Sequence, residues 1–246
     1  MNILVVNDDG IEAEGIKILV KAASHFGSVF VAAPKYQQSA MSAAISYKGT
    51  MEIEEVEPLF ASARSIAVTG TPADCIKAGL KLFDQEFDLV LSGINHGVNL
   101  AKDIQYSGTV AAAMEASIYG IPAIAFSAPD IKVPYLYDET VKLLDELIET
   151  ELYKNTGILN VNFPHTSFKK VQGIRVTKLG QRLQYSELMK TDKPNVYRLH
   201  ASDVHFKEDE DSDMTAYYEG YVSITPMQFD RTDYKKLKNI FSEENK

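Results

Sequence analysis

Apolar positions over the first 165 residues follow two alternating rhythms. Short apolar runs at Asn2–Val6, Ser28–Ala33, Ser65–Thr69, Phe87–Leu91, Ile121–Ser127 and Ile158–Phe163 read as buried strands. Between them, Glu12–His25 carries Ile16, Leu19, Val20 and Ala23 at helical spacing, and Gly108–Tyr119 and Asp138–Leu152 also read as helices. A further helix opens at Gly70-Thr71-Pro72-Ala73-Asp74 and runs to about Phe83. Thr71 is a natural N-cap, Pro72 suits the first helical position, and Asp74 completes a capping-box-like pattern. Strands alternating with helices predict an α/β fold, a three-layer, mostly parallel sheet covered on both faces.

The pattern changes after residue 165. Gly173–Leu179, Asn195–Ala201 and Gly220–Pro226 read as strands with no long helix between them, and Tyr234–Phe241 as a short C-terminal helix. This predicts a core over 1–165 and a β-rich or hairpin extension over 166–246, within what is equally well one domain with excursions.

Composition narrows the picture. At 246 residues and 45% hydrophobic, the chain can bury one large core. No apolar run approaches the roughly 20 residues of a membrane span. The start at Met1 lacks the basic region and cleavable apolar stretch of a signal peptide. The lone cysteine, Cys75, rules out an internal disulfide and a cysteine-based metal knuckle, fits a reducing cytoplasm, and is expected to pack in a helix's first turn. A net charge of −9 argues against a surface for DNA or RNA polymers. It leaves room for a small anionic substrate, because a bound cation reverses the local field. The acidic run Glu208–Asp213 reads as a solvated loop and lacks the ligand spacing and glycine of a calcium loop.

Candidate chemistry gathers where strands end. Loops at the carboxyl ends of parallel strands converge on a crevice, and four of them here are unusually polar. They are Asn7-Asp8-Asp9-Gly10, Pro34–Ser39, Ser92–Asn99 and Tyr106–Thr109. Two adjacent acids at about 5 Å and an effective dielectric near 20 repel by roughly 3 kcal/mol. Beside neutral hydroxyl and amide oxygens they suit a hard divalent cation, with magnesium, manganese and calcium all fitting. The bland alternative is that Asp9 caps the following helix. Ser107-Gly108-Thr109 offers two hydroxyls and backbone N–H groups at a helix start, which is either an anion site or an ordinary N-cap. His96 is a candidate acid or substrate contact. His25 is expected at the surface or C-terminal end of the first helix, and His165, His200 and His205 are expected to be structural. There is no P-loop and no nucleophile elbow.

The same stretches carry a family likeness. With "ILVVNDDGI" at 3–11, "AAPKYQQSA" at 32–40, "VTGTPADCIKAGL" at 68–80, "DLVLSGINHGVNLAKDIQYSGTVAAAMEA" at 88–116 and "YVSITPMQFDRTDY" at 221–234, the chain resembles the SurE family of stationary-phase survival proteins, metal-dependent 5'-nucleotidases. The resemblance implies a Rossmann-like core, with a C-terminal part that helps form a homodimer or homotetramer. It implies one divalent cation, magnesium or manganese with calcium able to occupy the site, held by Asp8, Asp9, Ser39 and Asn95. It also implies phosphate release from nucleoside 5'-monophosphates, with 3'-nucleotides and polyphosphate as further substrates of some members. On this reading Asp8 and Asp9 are also the catalytic acids, and Asn99, Ser107, Gly108 and Thr109 hold the phosphoryl oxygens. The partner is a small nucleotide, with no nucleic-acid polymer and no membrane.

The chain departs from the family at Ser39-Ala40-Met41-Ser42-Ala43-Ala44, where S-G-A-S-H-S is usual. It departs again at Leu100-Ala101, where a glycine is usual, and at the alanines Ala111 and Ala116. The first change bears on substrate preference. None removes a candidate ligand. Two rivals remain. A phosphorelay receiver also pairs acids after its first strand, but needs an Asp after the third and a Lys after the fifth. A dehalogenase-type phosphatase needs D-x-D, which Asp8-Asp9-Gly10 does not supply.

Overall fold

The computed structural model describes residues 1–204 and 207–243. In chain order the elements are β1 (Asn2–Val6), α1 (Glu14–Ala23), β2 (Ser28–Pro34), β3 (Ile53–Val56), β4 (Ser62–Val68), α2 (Pro72–Leu82) and β5 (Leu89–His96). A 3-10 helix (Ala101–Tyr106), α3 (Gly108–Ile118), β6 (Ala123–Ala128), α4 (Leu136–Glu149), α5 (Leu152–Thr156) and β7 (Ile158–Asn162) follow. The rest is β8 (Ile174–Val176), β9 (Leu183–Lys190), β10 (Tyr197–Val204), α6 (Asp213–Tyr218), β11 (Val222–Met227) and α7 (Tyr234–Glu243).

Nine strands form one sheet in the order β3-β4-β2-β1-β5-β6-β7-β11-β8. From β4 to β7 all neighbours are parallel, which is the predicted α/β core. The alternation of side chains in β1 shows why two layers of helices are needed. Ile3 and Val5 enter one core with Ile16 and Leu19 of α1 and Leu143 and Leu147 of α4. Leu4 and Val6 enter the other with Cys75 and Ile76 of α2 and Val110 and Ala113 of α3. Cys75 is fully buried, as expected. The capping box of α2 is present in both directions, Thr71 Oγ1 accepting from Asp74 N and Asp74 Oδ2 from Thr71 N.

Four expectations change. The strand predicted to stop at Leu91 continues to His96. A register shift between Ser92 and Asn95 lets Asn95 and His96 pair with Ser127 and Ala128 of β6. The edge strand β3 and the strand β9 lie where none was expected. β9 pairs antiparallel with β10 as the hairpin, whereas β8 and β11 join the main sheet, β11 antiparallel to β7. Finally, the acidic run is not all solvated. Asp213 is fully buried and Ser212 caps α6. Among the described residues no helix is long and apolar enough to cross a membrane.

The chain runs outward from β1 through β2 to β4, then crosses back to lay β5 on the other side of β1. Strand order therefore reverses at β1, the switch point where open sheets of this kind open a crevice.

Candidate active site

At that switch point lies a cavity of about 370 Å³ lined by Asp8, Asp9, Ser39, Ala40, Asn95, His96, Val98, Asn99, Asp103, Tyr106, Ser107 and Arg182. All four candidate ligands and two of the four candidate phosphate contacts, Asn99 and Ser107, line it. Gly108 and Thr109 stand against Asp8 instead.

The paired acids sit directly past β1, where Asn7 Nδ2 donates to Gly10 O at 2.8 Å and Gly10 turns the chain at a φ of 102° that favours glycine. Asp8 is 5% exposed. Its Oδ1 accepts from Thr109 Oγ1 at 2.6 Å and its Oδ2 from Thr109 N at 3.2 Å, so the anion at the start of α3 is the protein's own carboxylate. Gly108 makes this approach possible, since a Cβ there would lie 2.9 Å from Asp8 Cβ. Burial pushes the Asp8 carboxyl up to about 6, the Thr109 hydroxyl opposing the rise and the Asp9 charge adding to it.

Asp9 does not cap α1, whose N-cap is Ala13. Its Oδ2 accepts from His96 N at 2.9 Å and its Oδ1 from Gln37 Nε2 at 3.3 Å. The same Gln37 nitrogen donates to Ser39 Oγ at 2.9 Å, drawing the loop after β2 onto the second acid. Asn95 donates its amide nitrogen to Gly97 O at 2.7 Å, so the ligand its side chain has left to offer is oxygen.

These groups fit a hard divalent cation. They offer two carboxylates, a hydroxyl and an amide oxygen around one cavity, and they leave a buried acid and its like-charged neighbour that a cation neutralises. Among the described residues no three His, Cys, Asp or Glu side chains cluster as metal ligands do, so such a centre depends on the neutral oxygens of Ser39 and Asn95. Magnesium or manganese suits this set better than zinc.

The two candidate phosphate contacts that line the cavity are held as firmly. Ser107 Oγ accepts from Val110 N at 3.1 Å as the N-cap of α3, which leaves its O–H to donate outward. Asn99 is held by its backbone. Its N–H donates to Asn162 Oδ1 at 2.8 Å, and its carbonyl accepts from Asn160 Nδ2 at 2.9 Å and Asn162 Nδ2 at 3.0 Å. Its side chain meets Ser127 Oγ at 2.8 Å.

His96 is exposed at the rim. The other histidines lie elsewhere. His25 meets Tyr137 OH at 2.9 Å, His165 packs on Tyr217 and Tyr218, His200 is on β10, and His205 lies outside the described residues. Sequence reading missed Gln37, Asp103 and Arg182. The only signal for Gln37 was its place in a strand-end loop, and for Arg182 there was none. No lysine lines the cavity among the described residues, and no acid follows β5 directly, so a receiver-type site is not formed.

The family model described as Survival protein SurE matches residues 3–186. A 5'-nucleotidase SurE from Clostridium beijerinckii is 39% identical, with 98% of each chain covered, and one from Clostridium botulinum is 38% identical, again with 98% of each covered. The crystal structure of the SurE protein from Aquifex aeolicus superposes with a TM-score of 0.83 at 34% identity, covering 99% of this chain and 100% of that one.

Proposed function

Because the chain belongs to the SurE family, we propose that it is a divalent-metal-dependent 5'-nucleotidase that hydrolyses nucleoside monophosphates to nucleoside and phosphate. The relatives named above carry the nucleotidase activity in their names. The observation that carries the reading in this chain is one cavity joining paired acids, neutral oxygen ligands and the start of α3. Asp8, Asp9, Ser39 and Asn95 hold the cation. When bound, it supplies positive charge to a phosphoryl oxygen and lowers the pKa of a water.

The chain's own residues do the rest. Ser107 and Asn99 bind the phosphoryl oxygens as charge builds in the transition state. Thr109 and Gly108 fix Asp8 rather than the substrate. Either acid accepts the attacking water's proton, and Asp9, half-buried and outside the Thr109 bonds, is better reached by solvent. His96 and the exposed Tyr106, on the rim, meet the nucleoside. The cavity's size suits a small anion and not a polymer.

The test is phosphate release from a panel of 5'- and 3'-nucleotides and polyphosphate with magnesium or manganese. The expected result is turnover of 5'-nucleotides that a chelator abolishes and that falls at least about 100-fold in Asp8→Asn and Asp9→Asn proteins with unchanged circular dichroism. Folded variants that kept wild-type rates would overturn the reading.

A further inference from the structure

Arg182 supplies the one permanently cationic side chain among the described residues that line the cavity, where Asp8, Asp9 and Asp103 bring three carboxylates. It lies just before β9, outside every motif recognised in the sequence, and its side chain is only 18% exposed.

The backbone that carries it is pinned on both sides. Gly180 N donates to Asp213 Oδ1 at 2.8 Å, Gln181 N to Glu208 Oε2 at 2.9 Å, and Arg182 N to Glu208 Oε1 at 2.9 Å. The Arg182 carbonyl accepts from Lys102 N at 3.4 Å. The second oxygen of Asp213 accepts from Ala101 N at 2.8 Å. One buried carboxylate thus ties the strand-end segment to the 3-10 helix that leads into Ser107 and α3. Asp103, on that same helix, faces the guanidinium with Oδ2 at 3.5 Å from Nη2. A contact at one edge fixes the plane of a guanidinium, whose fork matches the spacing of phosphate oxygens. A surface ion pair with a purely structural role has no need of an anchored backbone or a place in the cavity wall.

We propose that Arg182 is a substrate-binding residue whose guanidinium takes the phosphate group of the nucleotide, and that Glu208 and Asp213 are positioning residues that hold it over the cavity. The proposal rests on the nucleotidase reading for the identity of the substrate. It gives the acidic run 208–213 a task, since two of its carboxylates aim a cation.

The test compares wild-type, Arg182→Gln and Arg182→Lys proteins loaded with magnesium. Inhibition constants are measured for inorganic phosphate and for adenosine, and phosphate is also titrated into each protein by calorimetry. The expected result is a rise of at least tenfold in both phosphate constants for Arg182→Gln, with adenosine within twofold of wild type and Arg182→Lys in between. Glu208→Ala, which frees the segment while keeping the arginine, should raise the phosphate constants several-fold and leave adenosine unmoved. Phosphate constants within twofold of wild type in Arg182→Gln overturn the proposal, as does a parallel rise for phosphate and adenosine, which marks general damage to the cavity. A wild-type protein that cleaves no nucleotide defeats the nucleotidase reading alone. The calorimetric comparison still decides the role of Arg182.

Discussion

Thr109 Oγ1 lies 2.6 Å from Asp8 Oδ1, joining the end of the first strand to the start of a helix 101 positions later. The threonine hydroxyl and backbone N–H take one oxygen each, so the carboxylate has a single orientation. Groups that orient a ligand in this way are commonly worth 10–100-fold in affinity or activity. Thr109→Val keeps the shape and removes the donor. It should lower kcat and manganese affinity by about 10–100-fold, while Thr109→Ser retains most of both. Calorimetric manganese titration checks this, and equal affinities in wild type and Thr109→Val would refute it.

The two asparagines of β7 hold the Asn99 peptide by three hydrogen bonds, all buried. Asn162→Ala removes the acceptor for the Asn99 N–H and one donor to its carbonyl. Each buried group left without a partner costs roughly 1–3 kcal/mol. We expect a loss of about 2–3 kcal/mol and a melting temperature lower by roughly 4–12 °C. A scanning-calorimetry melt within about 1 °C of wild type would show that the network contributes nothing.

Asp213 makes a pH-dependent contribution. Burial raises its carboxyl above the ordinary 3.8; the N–H groups of Ala101, Gly180 and Met214 pull it down and Glu208 pushes it up. The folded protein therefore holds this proton more tightly than the unfolded chain. The resulting stability is fully present below the ordinary carboxylate value and is lost as pH rises through the raised one. Asp213→Asn cannot titrate. The stability of wild type relative to Asp213→Asn, from urea unfolding, should fall as pH rises above the ordinary carboxylate value. A relative stability that rises with pH would contradict the sign.

Cys75 is fully buried in the α2 core, and burial holds its thiol well above the usual range. Reaction needs an exposed thiolate. In native protein near pH 8 a disulfide exchange reagent should leave Cys75 unmodified for hours, and in denaturant it should titrate one thiol per chain within minutes. Rapid labelling of folded protein would place the helix elsewhere.

The strands with unbroken apolar runs and the capped start of α2 were legible because each is decided by residues near in sequence. β3 was not, since Ile53-Glu54-Glu55-Val56 is a largely exposed edge with no buried face to mark it. The extension of β5 was hidden by Ser92-Gly93-Ile94-Asn95, residues with turn character that pairing with β6 overrides. In the site, Asp8 and Asp9 stand out as an acid pair at a strand end, whereas Ser39 and Asn95, on loops distant in sequence, come into view only through the family resemblance. The hold of Thr109 on Asp8 was not legible, because the two are tertiary neighbours 101 positions apart. Arg182 and Asp213 take their meaning from distant segments meeting, which no window of sequence displays.

The crossover at β1 also has a kinetic consequence. The cavity wall draws on residues from Asp8 to Arg182, and the strand that completes β7's pairing, β11, comes from near the chain's end. Helices α1 to α4 form from local contacts, whereas the wall closes only after parallel pairings that are costly in loop entropy and slow to form. During refolding, far-ultraviolet helical signal should thus recover well before catalytic turnover, so that enzymatic activity marks the last stage of assembly rather than the first collapse.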